Sequence, residues 1–92
     1  MTTFQIGGYL TEFAGGCAEI KLEGEPGNVG EALSQLWRQH NGLRDRVLTE
    51  QGEVRPHVNV FLNSQVVRRD AVLQIPISGD NEICIMPAVS GG

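Results

Sequence analysis

The segment that most constrains this chain lies between residues 28 and 40. Asn28 is a good helix N-cap and Glu31 stands three residues later, so each side chain can satisfy the other's exposed backbone N–H. Val29, Ala32, Leu33, Leu36 and Trp37 then recur on one helical face, while Glu31, Ser34, Gln35 and Arg38 take the other. Arg38 and His40 fall in the last turn and Asn41-Gly42 follows as a stop, with Glu25-Pro26-Gly27 as turn chemistry in front. The spacing predicts a helix over 29–40, with Trp37 in the core. Its stripe needs an apolar partner, and in a chain of 92 residues only one domain is available to supply it.

Period-two patterns supply that partner. Ala18, Ile20 and Leu22 alternate with Glu19, Lys21 and Glu23, and residues 2–8 read as a hairpin partner, with Gly15-Gly16 in the connecting loop. Leu43, Val47 and Leu48 suggest a short second helical segment, followed by the polar loop 49–53. Val58, Val60 and Leu62 alternate with Asn59, Phe61 and Asn63, and Val66-Val67 form a short return strand. After the Gly79-Asp80-Asn81 turn, Ile83 and Ile85 alternate with Cys84 and Met86. The expectation is an α+β fold, a mixed and mostly antiparallel sheet packed on one main helix. This order and size resemble the β-grasp, or ubiquitin-like, fold, as a domain over 1–86 with an extended tail over 87–92.

Several function classes are disfavoured by the same residues. A net charge of −4 leaves no basic excess to neutralise phosphates, so nucleic acid is not an expected partner. The apolar runs are only a few residues long, so no membrane association is expected either. His40 and His57 stand apart from any cluster with ligand spacing, and neither Gly7-Gly8 nor Gly15-Gly16 opens a phosphate loop. No bound cofactor or metal is expected. A chain of this size buries roughly two-thirds of its surface in one small core, with no room for a deep active site beside it. The first residues show no basic stretch leading into an apolar one, which points to a reducing cytoplasm with Cys17 and Cys84 as free thiols.

The informative chemistry is at the other end. Pro87 cannot donate to a sheet ladder, so it closes the last strand and begins an extended strip of small residues, Ala88, Val89, Ser90, Gly91 and Gly92. From Pro87 to Gly92 the strip reaches about 20 Å. Gly91-Gly92 has no β-carbons, so a narrow tunnel in another protein can admit it, and the Gly92 carboxylate becomes the distinctive reactive group. A carboxylate is a poor acyl donor, and activating it takes a nucleotide and another enzyme.

The ending Ile85-Met86-Pro87-Ala88-Val89-Ser90-Gly91-Gly92 is similar to the tail of the ubiquitin-like sulfur-carrier proteins. That family includes the small subunit of molybdopterin synthase, the thiamine sulfur carrier, and the carrier that serves the O-phosphoserine cysteine synthase. Val58–Asn63 with Val67-Arg68, the Gly79-Asp80-Asn81-Glu82 turn and the helix opening Val29–Leu33 resemble it too; Ser90 replaces the more usual alanine. The resemblance implies a cycle. An activating enzyme similar to the ubiquitin-activating type uses ATP to adenylate Gly92, a sulfur donor displaces AMP, and the resulting thiocarboxylate passes sulfur to a partner synthase. Gly92 is then the covalent site, and Pro87, Ala88, Val89, Ser90 and Gly91 thread the tail. The chain itself is a cosubstrate rather than an enzyme.

Within the family, the 43–57 segment and the Val58–Asn63 strand lean towards the cysteine-synthesis type, whose partners would be a pyridoxal-phosphate-dependent synthase and a metal-dependent peptidase. The molybdopterin role is the nearest rival, with thiolation of tRNA or of a secondary metabolite behind it. Two readings from other classes stand beside these: a protein modifier joined through Gly92 to lysines, and a noncovalent β-grasp interaction module. Strand alternation also places Phe61, Cys84 and Met86 on the sheet face away from the helix, a candidate partner-docking patch rimmed by Glu19, Lys21 and Glu23. Cover from the 43–56 segment is the competing account of that face.

Overall fold

In the computed structural model, which describes residues 1–87, the helix begins where its cap requires. Helix α1 runs over Val29–Gln39, and the Asn28 side-chain oxygen accepts from the Glu31 N–H at 2.7 Å. Glu31 reaches past the cap and accepts from the Gly27 N–H instead of the Asn28 N–H. Asn28 also forms a β-bridge with Pro76, and its neighbours carry the bonds, Val29 N–H to the Ile75 carbonyl at 3.0 Å and Ile77 N–H to the Gly27 carbonyl at 3.1 Å.

At the far end the expected stop becomes a bend. His40 leaves the helical region at φ −138°, its N–H still bonded to Leu36, and Asn41 opens helix α2 (Asn41–Val47) at once. Leu43 and Val47 of α2 are buried. Trp37 is only half-buried, at the margin of the stripe, because Val29, Ala32, Leu33 and Leu36 already hold the line that faces the sheet.

The strands are β1 (Thr2–Ile6), β2 (Glu19–Leu22), β3 (Val58–Leu62), β4 (Gln65–Val66) and β5 (Asn81–Pro87), in the spatial order β2-β1-β5-β3-β4. β1 is antiparallel to β2 and parallel to β5; β3 is antiparallel to both β5 and β4. The β3–β4 hairpin turns through Asn63 and Ser64, both at positive φ (50° and 73°), as a two-residue hairpin with the native strand twist demands. The last strand includes Pro87, whose Cα partner is Val58. The sequence pattern assigned Pro87 to the tail; a proline is tolerated at the end of a strand because the ladder has nothing further to ask of its nitrogen.

One face of this sheet is packed. Phe4, Ile6, Ile20, Leu22, Val58, Val60, Ile83 and Ile85 point into a core closed by α1, α2, Leu48 and Val54. Between β1 and β2 the chain does not make a simple loop. It forms a 3-10 helix over Gly8–Ala14, whose Leu10 and Ala14 are buried and whose Phe13 packs on the core margin, with the Arg46 guanidinium 4.4 Å from its ring centroid. Strand 2–8 is thereby shortened to Thr2–Ile6.

Candidate functional site

The other face of the sheet carries no layer among the described residues, because α1, α2 and the Leu48–Val54 bridge all sit on the packed side. Register places a row of side chains across this outer face. Glu19 lies opposite Gln5, Gln5 opposite Cys84, Cys84 opposite Phe61, and Phe61 opposite Val66. Met86 stands one step nearer the tail, opposite Asn59. The three residues that alternation assigns to a patch are thus neighbours, Phe61 and Cys84 half-buried and Met86 38% exposed.

Val66, 67% exposed, extends the patch to the sheet edge and was legible only as part of a return strand. The row grades from polar to apolar: Gln5 Nε2 donates to Glu19 Oε2 at 2.9 Å, and Lys21 shares that border of the sheet, while Glu23 lies just beyond the end of β2. The 43–56 segment does not cover the patch: its Leu43, Val47, Leu48 and Val54 are buried in the core on the packed face.

Cys84 is chemically quiet. Burial pushes its thiol up, and the nearby Glu82 carboxylate adds to the shift by its charge and by accepting from Sγ at 3.7 Å. All three effects favour the neutral thiol, so at neutral pH this group is a small hydrophobe rather than a nucleophile. Cys17, by contrast, is exposed; both cysteines are free.

The two ends of the central strand pair differ. Beside the start of β5, the Met1 ammonium donates to Asp80 Oδ1 at 2.7 Å and holds that carboxyl below the ordinary carboxylate value. Asn63 Nδ2 donates to Asn81 Oδ1 at 3.1 Å, and Asn63 Oδ1 accepts from the Glu82 N–H at 2.8 Å, tying the β3–β4 hairpin to the same end. At the other end β5 finishes at Pro87, beside Gly7 and Gly8. Ala88, Val89, Ser90, Gly91 and Gly92 lie outside the described residues.

The concave regions lie on the helix side. A groove of about 610 Å³ runs along α1 and meets Trp37, Leu33, Leu48 and Leu73; another of about 870 Å³ lies between the Thr49–Pro56 loop and Arg68–Gln74. Arg68, which adjoins Arg69 in a short basic spot of the sequence, is partnered by Asp70 at 2.8 Å. Among the described residues no three His, Cys, Asp or Glu side chains converge as metal ligands, and no helix is long and apolar enough to cross a membrane.

This arrangement offers a flat apolar face and a strand leading to a glycine pair, and comparison with known proteins gives it a family. The ThiS family matches residues 4–92. The chain belongs to that family. Small archaeal modifier protein 3 of Haloferax volcanii is 40% identical over 65 residues, 70% of this chain and 68% of the relative. Sulfur carrier protein CysO of Mycobacterium tuberculosis is 27% identical over 92 residues, 98% of this chain and 97% of the relative. The crystal structure of the Amycolatopsis orientalis BexX/CysO complex contains a chain superposing with a TM-score of 0.85 at 26% identity, with 100% of each chain covered. The ThiS-family chain described here therefore has the β-grasp fold, and its relatives are ubiquitin-like carriers and modifiers.

Proposed function

We propose that this chain is a sulfur carrier. An activating enzyme joins the Gly92 carboxylate to AMP from ATP, releasing pyrophosphate; a sulfur donor then displaces AMP and leaves a Gly92 thiocarboxylate. The observation that carries the reading is that the family match runs from the first strand through Gly91-Gly92, which follow the central strand β5 in sequence after Ala88, Val89 and Ser90. A thiocarboxylate sulfur is a far better nucleophile than a carboxylate oxygen, which gives an activated terminus its purpose. Phe61, Cys84, Met86 and Val66 form the surface on which the activating enzyme and a sulfur-accepting synthase dock, and Gly91 gives the backbone clearance to enter their active sites. The likeness to the CysO chains supports the carrier role; cysteine synthesis, with a pyridoxal-phosphate-dependent acceptor, is the pathway we assign to it.

The test is the intact mass of protein from its host, purified with thiols preserved. A species heavier by the oxygen-to-sulfur difference and mapped to the C-terminal peptide is expected. Only free acid, even after incubation with the host's activating enzyme, ATP and a sulfur source, overturns the reading.

The second reading, a modifier conjugated through Gly92 to lysines, is favoured by the 40% identity to an archaeal modifier. Its test needs care. Arg69 is the last basic residue, so trypsin leaves residues 70–92 on a modified lysine rather than a Gly-Gly stub. A search for that longer branch on host proteins separates the two readings; finding none in cells that carry the thiocarboxylate excludes the modifier.

A further inference from the structure

The sheet ends in two different edges. At one, β4 offers two residues; at the other, β2 offers four, Glu19–Leu22, with no strand beyond it among the described residues. The Ile6 N–H donates to the Ala18 carbonyl at 2.7 Å, which continues the antiparallel β1–β2 ladder past the Gln5–Glu19 pair. Backbone bonds in such a ladder recur at every second residue, so Ile20 and Leu22 likewise turn their N–H and C=O groups towards β1. Glu19 and Lys21 turn theirs away, to the open edge. A row of unpaired backbone groups is a template for another strand.

The side chains decide which strand fits. Ile20 and Leu22 are buried on the packed side, while Glu19 and Lys21 are exposed. Among the described residues Lys21 has no ion-pair partner within the chain, and Glu19 accepts only from the Gln5 amide. A lysine in the middle of an edge strand ordinarily discourages pairing, and a lysine facing its own copy would do so here.

One register avoids that clash. Let two β2 strands meet antiparallel about a two-fold axis at Ile20, normal to the sheet. Each Glu19 then lies directly opposite the other copy's Lys21, and the two residues exchange a pair of backbone hydrogen bonds. Moving the axis to Lys21 sets Lys21 against Lys21 and Glu19 against Glu23, like charges opposed at close range. Moving it to Leu22 needs Glu23, which lies past the end of β2.

We propose that β2 is a self-association edge, through which two copies of this chain join their sheets into one, with Glu19 and Lys21 as the reciprocal pair that sets the register. The proposal goes beyond the sulfur-carrier reading and does not depend on it. Phe61, Cys84 and Met86 lie on β3 and β5, and β1 separates both strands from this edge, so pairing leaves the outer patch open on each copy. A four-residue edge is short, so the dimer forms at high protein concentration and dissociates on dilution.

Sedimentation equilibrium over about 10 µM to about 1 mM, the span in which small interfaces dissociate, is the test. It is run with wild type, Lys21→Glu, Glu19→Lys, the double variant carrying both, and an equal mixture of the two single variants. Wild type should shift from monomer towards dimer as its concentration rises. Each single variant sets like charges opposite one another and should associate about 10-fold or more weakly. The double variant exchanges the two charges and should return to within about 3-fold of wild type. So should the mixture, because one partner then carries two acids where the other carries two lysines. An isotope-filtered nuclear Overhauser contact between the Ile20 α-protons of the two copies identifies the register, and thermal unfolding shows that every variant is folded.

Monomer at every concentration overturns the proposal and makes Lys21 a guard against pairing at that edge. A double variant no tighter than the single ones overturns it as well. So does association that the single variants leave unchanged; loss of that association in Val66→Asp would then place the contact on the outer face.

Discussion

The two faces of the sheet are made from the same strands, one residue out of step, and they serve different ends. On the inner face Phe4, Val60, Ile83 and Ile85 are all but inaccessible to water. On the outer face Gln5, Phe61, Cys84 and Met86 remain partly open, and Val66 is open at the edge. Fold stability is therefore concentrated on one side of a single sheet, which leaves the other side free of that packing demand. A chain this small cannot afford a second core, so the outer face of the sheet carries no packed layer among the described residues.

The largest expected effect tests that division. Phe4→Ala should cost about 3–5 kcal/mol, the usual range for truncating a buried phenylalanine, whereas Phe61→Ala should cost about 1 kcal/mol or less. Urea unfolding of both variants reads the difference, and equal losses would erase the distinction. Val66→Asp should then reverse the order in a binding assay: unfolding within about 0.5 kcal/mol of wild type, but affinity for the activating enzyme reduced about 10-fold or more, as for an apolar contact replaced by a charge in a desolvated interface.

Next comes the thiol on the outer face. Because burial and Glu82 hold Cys84 protonated, alkylation at neutral pH should mark Cys17 first, and Cys84 should react only as the pH is raised above the ordinary thiol range. Peptide mapping across a pH series measures this, and Cys84→Ser should still be loaded with sulfur. Rapid alkylation of Cys84 at neutral pH would return it to the list of reactive groups.

The smallest effect lies at the amino end. The Asp80 carboxyl has its folded pKa lowered from 3.8, chiefly by the hydrogen bond from the Met1 ammonium and then by its charge. A lowered carboxylate contributes stability that is complete above the unfolded value and lost as the pH falls through the folded one. Asp80→Asn should therefore be slightly less stable than wild type at neutral pH and converge with it as the pH falls below about 4, which equilibrium unfolding across that range would show.

The local elements were largely legible. Asn28 and Glu31 mark the start of α1 because capping is a property of a few consecutive residues, and alternation alone assigns Phe61 and Cys84 to one face. The order of the strands was not, since placing β5 between β1 and β3 is decided by shared burial rather than by any local signal. The 3-10 helix carried a faint one: Leu10, Phe13 and Ala14 are spaced by three and four, but the run is short and bounded by glycines, and it gains its order from packing. Trp37 fitted the stripe by count yet sits at its border. Gly7-Gly8 read as the end of the first strand because its neighbours, Met86 and Pro87, are at the other end of the chain.

The parallel pairing of β1 with β5 has a mechanical side. Thr2, next to Met1, opens one of these strands and Pro87 closes the other, so these two residues stand at opposite ends of the same hydrogen-bonded pair. A pull between them runs along both strands in opposite directions and loads the whole ladder together, in shear, instead of unzipping it bond by bond. A pull applied at Pro87 is thus met by the whole ladder at once rather than unravelling the body strand by strand.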